Sequence, residues 1–374
     1  MRNFSDVKIE MFILLMQIIS FSGSKAPLLF FNVARYPEAG LVSVLGALKA
    51  LYVPLEVREQ VPDRAEKVKY LGILGDESKI GSKTDLARAL EAGRIVSRDI
   101  GGSDPERMAA PRVEEYVRKT FEGTDIQIEV VKGQTTFEKE YPCLAAVNRC
   151  ASTVPRHDGR VIWLTYEPED KSQIEKTVML VGKGITYDTG GADIKAGGIM
   201  AGMSRDKCGA ADVAGVLKVA SLLKPKKVKI VGAMAMVRNS VGSNCYVADE
   251  IITTRAGVRI RVGNTDAEGR MAMVDVLAHM KEKALNEVNP HLMTIATLTG
   301  HAVLANGPYT AVMDSGPAKK ENFALVLQST GETFGDPFEV STMRKEDYEF
   351  IKDKSGEFVD VLQCNNAASS RTPR

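Results

Sequence analysis

Four acidic side chains and two lysines lie in three short polar segments, where an ordinary buried core would hold no charged residue. The segments are Val181–Lys195, which reads VGKGITYDTGGADIK, then Ser204–Asp206, and finally Asn264–Arg270, which reads NTDAEGR. Four carboxylates that converge cannot all remain ionised without a compensating charge, and two bridged divalent cations would provide it. The sequence therefore predicts a dinuclear metal site, whose acids are Asp188, Asp206, Asp266 and Glu268.

Cysteine and histidine contribute little to such a site. The five cysteines contain no C-x-x-C pair, and the four histidines are not at metal-ligand spacing. We interpret the cysteines as small buried apolar residues of a protein in a reducing compartment, which favours the cytoplasm. With oxygen ligands dominating, Mg²⁺, Mn²⁺ and Zn²⁺ are all acceptable, so the residues alone leave the metal open.

The two lysines of the first segment require different roles. Lys183 follows a predicted strand and could coordinate a cation only as a neutral amine, with its pKa lowered by the neighbouring metal. Lys195 would stay protonated and would polarise a substrate carbonyl or stabilise its oxyanion. Spacing alone proves neither role, because a single lysine is more often a surface residue.

The third segment also has a purely structural interpretation. Thr265 or Asp266 could cap the following helix while Glu268 lies in its first turn, as in a capping box. Such a cap does not account for two acids followed by Gly269 and Arg270 at the start of a helix whose remainder is apolar.

Alternating strands and helices are expected to position these segments. Strands are predicted at 126–131, 161–166, 177–181, 228–237 and 292–297, and helices at 84–96, 209–223 and 267–285. A glycine-rich turn is expected over 182–198. The alternation predicts an α/β fold, with a small N-terminal α/β domain over 1–90 and a larger domain over 91–374. The larger domain should contain a mostly parallel or mixed sheet covered by helices on both faces, with its ligand site beyond the carboxyl ends of the strands.

Composition and charge exclude several classes of protein. The chain has 49 Lys and Arg against 48 Asp and Glu, a formal charge of +1, which argues against a nucleic-acid binder. The apolar segment Met11–Phe21 is too short to span a bilayer. We interpret it as a buried strand or helix or as an atypical gene start, although a secretory signal would also fit.

The charged segments resemble those of the leucine aminopeptidase family of dinuclear metallopeptidases, the cytosol aminopeptidase-like family M17. The run Val181–Lys195 is close to the family's first motif, Asn264–Arg270 reproduces the NTDAEGR signature unchanged, and ATLTG stands at Ala296–Gly300. The resemblance covers roughly residues 92–374 and implies a metallopeptidase catalytic domain over 91–374. Family members continue through a further helix and strand beyond the last residue, so the domain is expected to lack its C-terminal part.

The resemblance also implies how the metals are held. One divalent cation, Zn or Mn or else Mg, would be the more tightly bound, and its ligands would be Lys183, Asp188, Asp206 and Glu268. The more exchangeable cation would be held by Asp188, Asp266 and Glu268.

Further roles follow from the same resemblance. Lys195 would be the electrophilic catalytic lysine, and Arg270 would hold a bicarbonate ion that acts as general base toward the attacking water. Met203 and Leu298 match positions that line the pocket for the first residue of the substrate. The implied activity is metal-dependent release of N-terminal residues from peptides with a free N-terminus, by a homohexamer. From cysteine usage and charge balance we expect a cytoplasmic location without nucleic-acid or membrane partners.

Two other functions stay open. The chain could be a catalytically inactive family member or truncated isoform that serves as a structural or binding subunit. It could instead be a Mg²⁺-dependent phosphoesterase, which would explain clustered acids but not a lysine among the metal ligands.

Overall fold

The computed structural model describes residues 28–30, 38–74, 77–356 and 358–366. The described residues form two compact units. The first unit contains those up to Glu91 and Thr299–Asp347, and the second contains Ala92–Leu298 and the residues from Tyr348 onward. The segment Met11–Phe21 lies outside the described residues, and the division of the chain at residue 90 stays a prediction.

The helices and strands are numbered in chain order. The helices are α1 (Ala39–Leu51), α2 (Leu55–Gln60), α3 (Glu77–Gly102), α4 (Ala110–Thr120), α5 (Gln134–Glu140), α6 (Pro142–Ala151), α7 (Cys208–Leu223), α8 (Glu268–Ala284), α9 (His301–Asn306), α10 (Gly316–Lys320), α11 (Phe323–Phe334) and α12 (Lys345–Ile351). The strands are β1 (Leu28–Phe30), β2 (Gly72–Leu74), β3 (Gln127–Lys132), β4 (Arg160–Tyr166), β5 (Lys176–Asp188), β6 (Val228–Asn239), β7 (Ile251–Thr253), β8 (Arg259–Arg261), β9 (Pro290–Ile295), β10 (Thr310–Val312), β11 (Phe338–Val340) and β12 (Val361–Leu362).

The first unit is a small α/β assembly. Its short strands pair in parallel, β1 with β2 and β10 with β11. Helix α1 repeats apolar residues four positions apart, so that Leu41 and Leu45 lie on one helical face and pack with Ala87 in a small core.

The second unit is built on a five-stranded mixed sheet in the order β3-β4-β6-β5-β9. Strand β5 pairs in parallel with β6 and β9, whereas β4 runs antiparallel to β3 and β6. The predicted α/β fold is confirmed. Because β5, β6 and β9 are parallel, their carboxyl ends meet at one edge of the sheet, and contacts of Asn239 at the end of β6 bring Asp188 and Thr265 to that edge.

Helices cover both faces of this sheet, as predicted. A Cβ atom at Gly182 of β5 would lie 2.5 Å from the Cα atom of Ala210, so the glycine lets α7 approach the backbone of one face. The neighbouring Val181 points to the other face, since strand side chains alternate, and packs in the same core as Met271 of α8.

Strand β5 extends seven residues beyond its predicted end at Val181, and the expected glycine turn over 182–198 begins only after Asp188. Gly182 and Gly184 lie inside the strand. A Cβ atom at either position would come within 2.5 Å of neighbouring atoms, so neither position has room for a side chain. Close packing rather than a turn therefore requires these glycines, and the predicted start of the turn was wrong.

A second, three-stranded sheet in the order β12-β8-β7 lies in the same unit. Strands β7 and β8 pair antiparallel, and β12, from near the end of the described chain, adds to β8 in parallel.

None of the described helices is long and apolar enough to cross a membrane. All five cysteines fall in the described residues and are free; Cys143 and Cys150 are buried.

Candidate metal centre

Three of the predicted acids meet beyond the carboxyl ends of the parallel strands. Asp188 ends β5, Asp206 follows the short helical turn Met203–Arg205, and Glu268 begins α8. Each offers one carboxylate oxygen, and these three atoms lie within 4.8 Å of one another. All three residues are buried, so the group offers the converging oxygen donors of a divalent-cation site.

Lys183 lies inside this cluster. Its Nζ atom is 2.9 Å from Asp206 Oδ2 and 3.0 Å from Glu268 Oε1, and it donates a hydrogen bond to the carbonyl oxygen of Thr297 at 3.0 Å. Burial lowers the pKa of Lys183, but the attraction of Glu268 and Asp206 outweighs it, so the pKa lies above its ordinary value.

The acids beside Lys183 remain under-neutralised. Burial raises the pKa of Glu268 to about 8 in spite of the opposing charge of Lys183. Burial also raises the pKa of Asp206, against the effect of Lys183 and of a hydrogen bond from Thr297 Oγ1 at 2.7 Å. One ammonium group therefore does not balance the acids that surround it.

Lys195 joins the cluster from its other side. Its Nζ atom is 3.0 Å from Asp188 Oδ2 and contacts Asp266 Oδ1. Burial lowers the pKa of Lys195, but the hydrogen bond to Asp266 and the charge of Asp188 raise it to about 12. Burial raises the pKa of Asp266, although its hydrogen bond with Lys195 opposes the shift. Lys195 is thus a protonated group between two acids.

A buried oxygen atom shows that the cluster fits a cation. Glu268 Oε2 is inaccessible to solvent and has no hydrogen-bond partner among the described residues. A buried carboxylate oxygen without a partner is strongly destabilising, and a divalent cation would satisfy it. Four acids and two lysines also leave an excess of negative charge, so the donor set is suited to the predicted metal ions.

A bulge in β5 brings Lys183 and Asp188 to the same cluster. Strand residues five positions apart normally point to opposite faces. The pairing between β5 and β6 shifts register between Ile185 and Asp188, so Asp188 reaches the side on which Lys183 meets Glu268. The charged segment is therefore positioned by an irregularity that the apolar pattern does not reveal.

Gly269 gives the side chain of Lys183 its space. A Cβ atom at Gly269 would lie 2.4 Å from Lys183 Cε and 2.7 Å from Lys183 Nζ. We expect Gly269→Ala to displace Lys183 and to weaken Mn²⁺ binding, measured by calorimetry, by about tenfold or more. Ala for Gly inside a helix is otherwise stabilising by about 0.5–1 kcal/mol, so a loss identifies this contact.

The matched control is Gly102→Ala at the end of α3, where a Cβ would meet no atom within 4 Å. Unchanged Mn²⁺ affinity in Gly269→Ala would show that Lys183 does not need its observed position.

Polar residues that the sequence analysis did not single out tie the charged segments together. Asn239, at the end of β6, donates from Nδ2 to Asp188 Oδ1 at 2.8 Å and to the carbonyl oxygen of Thr265 at 3.1 Å. The hydroxyl of Tyr246 donates to the same carbonyl at 2.7 Å. An asparagine at the end of a buried strand, on the ligand edge of the sheet, was a usable signal for this role.

Thr265 does not cap helix α8. The helix begins at Glu268 after Ala267, without a side-chain cap. The Thr265 hydroxyl instead donates to the carbonyl oxygen of Gly190 at 2.6 Å and accepts from the amide of Asp193 at 2.8 Å. The capping-box interpretation was wrong, because Thr265 joins the two motif segments to each other.

The three other predicted site residues lie beside the cluster in the chain. Arg270 is exposed on the first turn of α8, where its Nη1 donates to the carbonyl oxygen of Gln363 at 2.8 Å, and within the described residues it forms no ion pair with the four acids. Met203 is half-buried in the turn before Asp206. Leu298, which follows Thr297, is 44% exposed.

Buried carboxylates and lysines at the carboxyl ends of parallel strands define this protein as one built to hold divalent cations. The model of the catalytic domain of the cytosol aminopeptidase family matches residues 95–372. The chain belongs to this family, as the motifs predicted.

Two relatives with aminopeptidase names support this membership. The chain is 47% identical over 356 residues to a "putative aminopeptidase" of Caenorhabditis elegans, covering 94% of this chain and 67% of the worm protein. It is 28% identical over 294 residues to a "probable cytosol aminopeptidase" of Helicobacter hepaticus, covering 77% of this chain and 59% of the bacterial protein. The chain thus spans about two thirds or less of the length of these relatives.

The solved structure of the bottromycin maturation enzyme BotP in complex with Mn matches with a TM-score of 0.82, covering 98% of this chain and 75% of that chain. The sequence identity is 21%, so this similarity concerns the fold.

Proposed function

We propose that this chain is a metal-dependent aminopeptidase that releases N-terminal residues from peptides with the aid of two divalent cations. The observation that carries the proposal is the buried cluster in which Lys183, Asp188, Asp206 and Glu268 meet, with an unpartnered oxygen on Glu268. Membership of an aminopeptidase family supports peptide hydrolysis as the reaction. The Mn of the structurally similar BotP supports Mn²⁺ as the cation to test first.

Two overlapping sets of residues would hold the cations. The first set is Lys183, Asp188, Asp206 and Glu268, and the second is Asp188, Asp266 and Glu268. Lys183 would join the first set only as a neutral amine, so it would have to lose the proton that Glu268 and Asp206 favour in the absence of a cation. When bound, divalent cations polarise a carbonyl group and lower the pKa of a water molecule.

Lys195 is proposed to act on the substrate carbonyl, and Arg270 is proposed to hold the general base for the attacking water. The charges of Asp188 and Asp266 keep Lys195 protonated, so that it can donate a hydrogen bond to the substrate carbonyl as negative charge develops there. Of the Arg270 donors, only Nη1 has a hydrogen-bond partner among the described residues. The other donors would be available to hold a bicarbonate ion, which would supply a general base there. Leu298 offers exposed apolar surface, and with Met203 it is proposed to contact the first side chain of the substrate.

The remaining proposals rest on family membership. These are a preference for peptides with a free N-terminus, a cytoplasmic location and assembly into a homohexamer. Five free cysteines support a reducing location. Light scattering of the purified chain tests the hexamer, and an observed monomer would contradict it.

The activity is tested by mass-spectrometric analysis of a peptide pool in which half of the peptides are N-acetylated. The chain is assayed with Mn²⁺, with Zn²⁺ and with chelator. We expect cation-dependent loss of single N-terminal residues from the unblocked peptides only.

Two results would contradict the proposal. Absence of cleavage by a folded, cation-loaded chain would favour a non-catalytic subunit. Hydrolysis of a simple phosphate ester without peptide cleavage would favour the phosphoesterase.

A further inference from the structure

Gln363 makes an unusually complete set of hydrogen bonds to one loop. Its side-chain oxygen Oε1 accepts from the amides of Gly263 at 3.0 Å and Asn264 at 3.1 Å. Its Nε2 donates to the carbonyl oxygens of Asn264 and Ala267, both at 2.8 Å. A side-chain amide has two donor hydrogens and two acceptor lone pairs, so the whole capacity of Gln363 is used. The residue is 3% exposed, although it lies near the end of the described chain.

The loop that Gln363 holds, residues 263–267, carries Asp266 and leads directly into Glu268. Both acids belong to the proposed cation ligands. The main-chain carbonyl of Gln363 also accepts the hydrogen bond from Arg270, so one residue contacts the loop before α8 and the first turn of the helix.

The residues around Gln363 form a fixed support, which we call the clasp, residues 360–366. Strand β12 pairs with β8, and the backbone N–H of Gln363 donates to the carbonyl of Arg261 at 2.8 Å. Asn366 Nδ2 donates to the carbonyl of Gly263 at 2.8 Å. The backbones approach so closely that a Cβ at Gly263 would lie 2.1 Å from the carbonyl oxygen of Cys364. The clasp therefore leaves the loop little freedom.

We propose that Gln363 is a positioning residue of the metal centre. Its amide holds loop 263–267 in place before any cation arrives, so that Asp266 and Glu268 need little further ordering to bind one. Without the amide, the two N–H groups and two carbonyl groups that it satisfies would need other partners, which favours other loop conformations. The inference rests on the proposed function only for the cations, since it makes no use of peptide hydrolysis.

The test compares Gln363→Met, which keeps the size of the side chain and removes its hydrogen bonds, with Asn148→Leu. Asn148 is a fully buried amide in α6 that donates to Gln134 and Asp158 and accepts from the amide of Gly159. Both changes remove a buried amide, but only one of the amides contacts the loop. Mn²⁺ affinity is measured by calorimetry, and the exposure of individual backbone amides by hydrogen exchange without cations.

We expect Gln363→Met to weaken Mn²⁺ binding at least tenfold and to accelerate exchange of the Gly263 and Asn264 amides at least tenfold. Asn148→Leu should leave both within twofold of the wild type even where it lowers the melting temperature more. If Gln363→Met does not fold, Gln363→Asn keeps the amide on a shorter stem and should show the same effects in smaller measure.

Unchanged Mn²⁺ affinity in the folded Gln363 variants, or an equal loss in Asn148→Leu, would overturn the inference. A wild-type chain that binds neither Mn²⁺ nor Zn²⁺ would overturn the proposed function instead. In that case the cation part of the inference falls as well, while exchange at Gly263 and Asn264 still decides whether Gln363 holds the loop.

Discussion

Replacing Lys195 with alanine is expected to reduce turnover about 10²–10³-fold, the usual effect of removing one donor that stabilises developing charge. Bound metal should stay near the wild-type amount, because Lys195 Nζ pairs with Asp188 and Asp266 without being a ligand, and the oxygen donors of both acids remain. Turnover of an unblocked peptide and metal content by mass spectrometry are measured on the same preparation.

The control for this change is Lys218→Ala. Lys218 is a partly buried lysine of α7 whose Nζ donates to the carbonyl oxygen of Thr120 at 3.2 Å, and its loss should leave both readouts unchanged. If Lys195→Ala loses its metal together with its activity, Lys195 supports the cations rather than the substrate, and its proposed role is wrong.

Glu268→Gln is expected to abolish both activity and the stabilisation that cations provide. A ligand at one hundred times its dissociation constant stabilises a folded protein by about 2.7 kcal/mol, and this increment should disappear in the variant. The reason is that Glu268 belongs to both proposed ligand sets, and a neutral amide has neither the charge nor the donor strength of a carboxylate.

Without cations, Glu268→Gln should instead make the folded protein less sensitive to rising pH. Burial raises the pKa of Glu268 from 4.5 to about 8, so the folded state binds a proton more tightly than the unfolded state. The wild type should therefore lose stability as the pH rises from about 4.5 through about 8, and the variant should lose less. Thermal unfolding with chelator and with Mn²⁺, at pH 6 and pH 8, measures both effects.

Glu129→Gln serves as the control, because Glu129 is an exposed acid on β3. It should keep the stabilisation by Mn²⁺ and the pH dependence of the wild type. A Glu268→Gln protein that Mn²⁺ still stabilises fully would remove Glu268 from the cation ligands.

The six charged side chains of the cluster could be predicted from the sequence because two features of the sequence indicated them. Burying a charged residue among apolar strands destabilises the fold unless the charge is paired or binds a metal, so such residues point to a common site. The NTDAEGR segment added a family signature. In the structure, each of the two lysines pairs with two of the acids, and three of the four acids converge in one cluster.

Strands β3, β4 and β6 and helices α7 and α8 were predicted within a few residues of their observed bounds, because runs of apolar residues record burial directly. The end of β5 was predicted wrongly because two glycines interrupt its apolar run. Gly182 and Gly184 look like turn residues in the sequence, but in the fold they make room for neighbouring atoms.

The sequence by itself thus determined the α/β class, the family and the identity of the charged residues, since these depend on residue type and on spacing within one segment. Only the tertiary structure decided that a bulge turns Asp188 toward Lys183 and that Gln363 holds the loop of Asp266. Gln363 lies 96 residues beyond Ala267 along the chain, yet its amide donates to the carbonyl of that residue. No local pattern records such a contact, because a hydrogen bond between distant segments depends on how the sheet and loops bring them together.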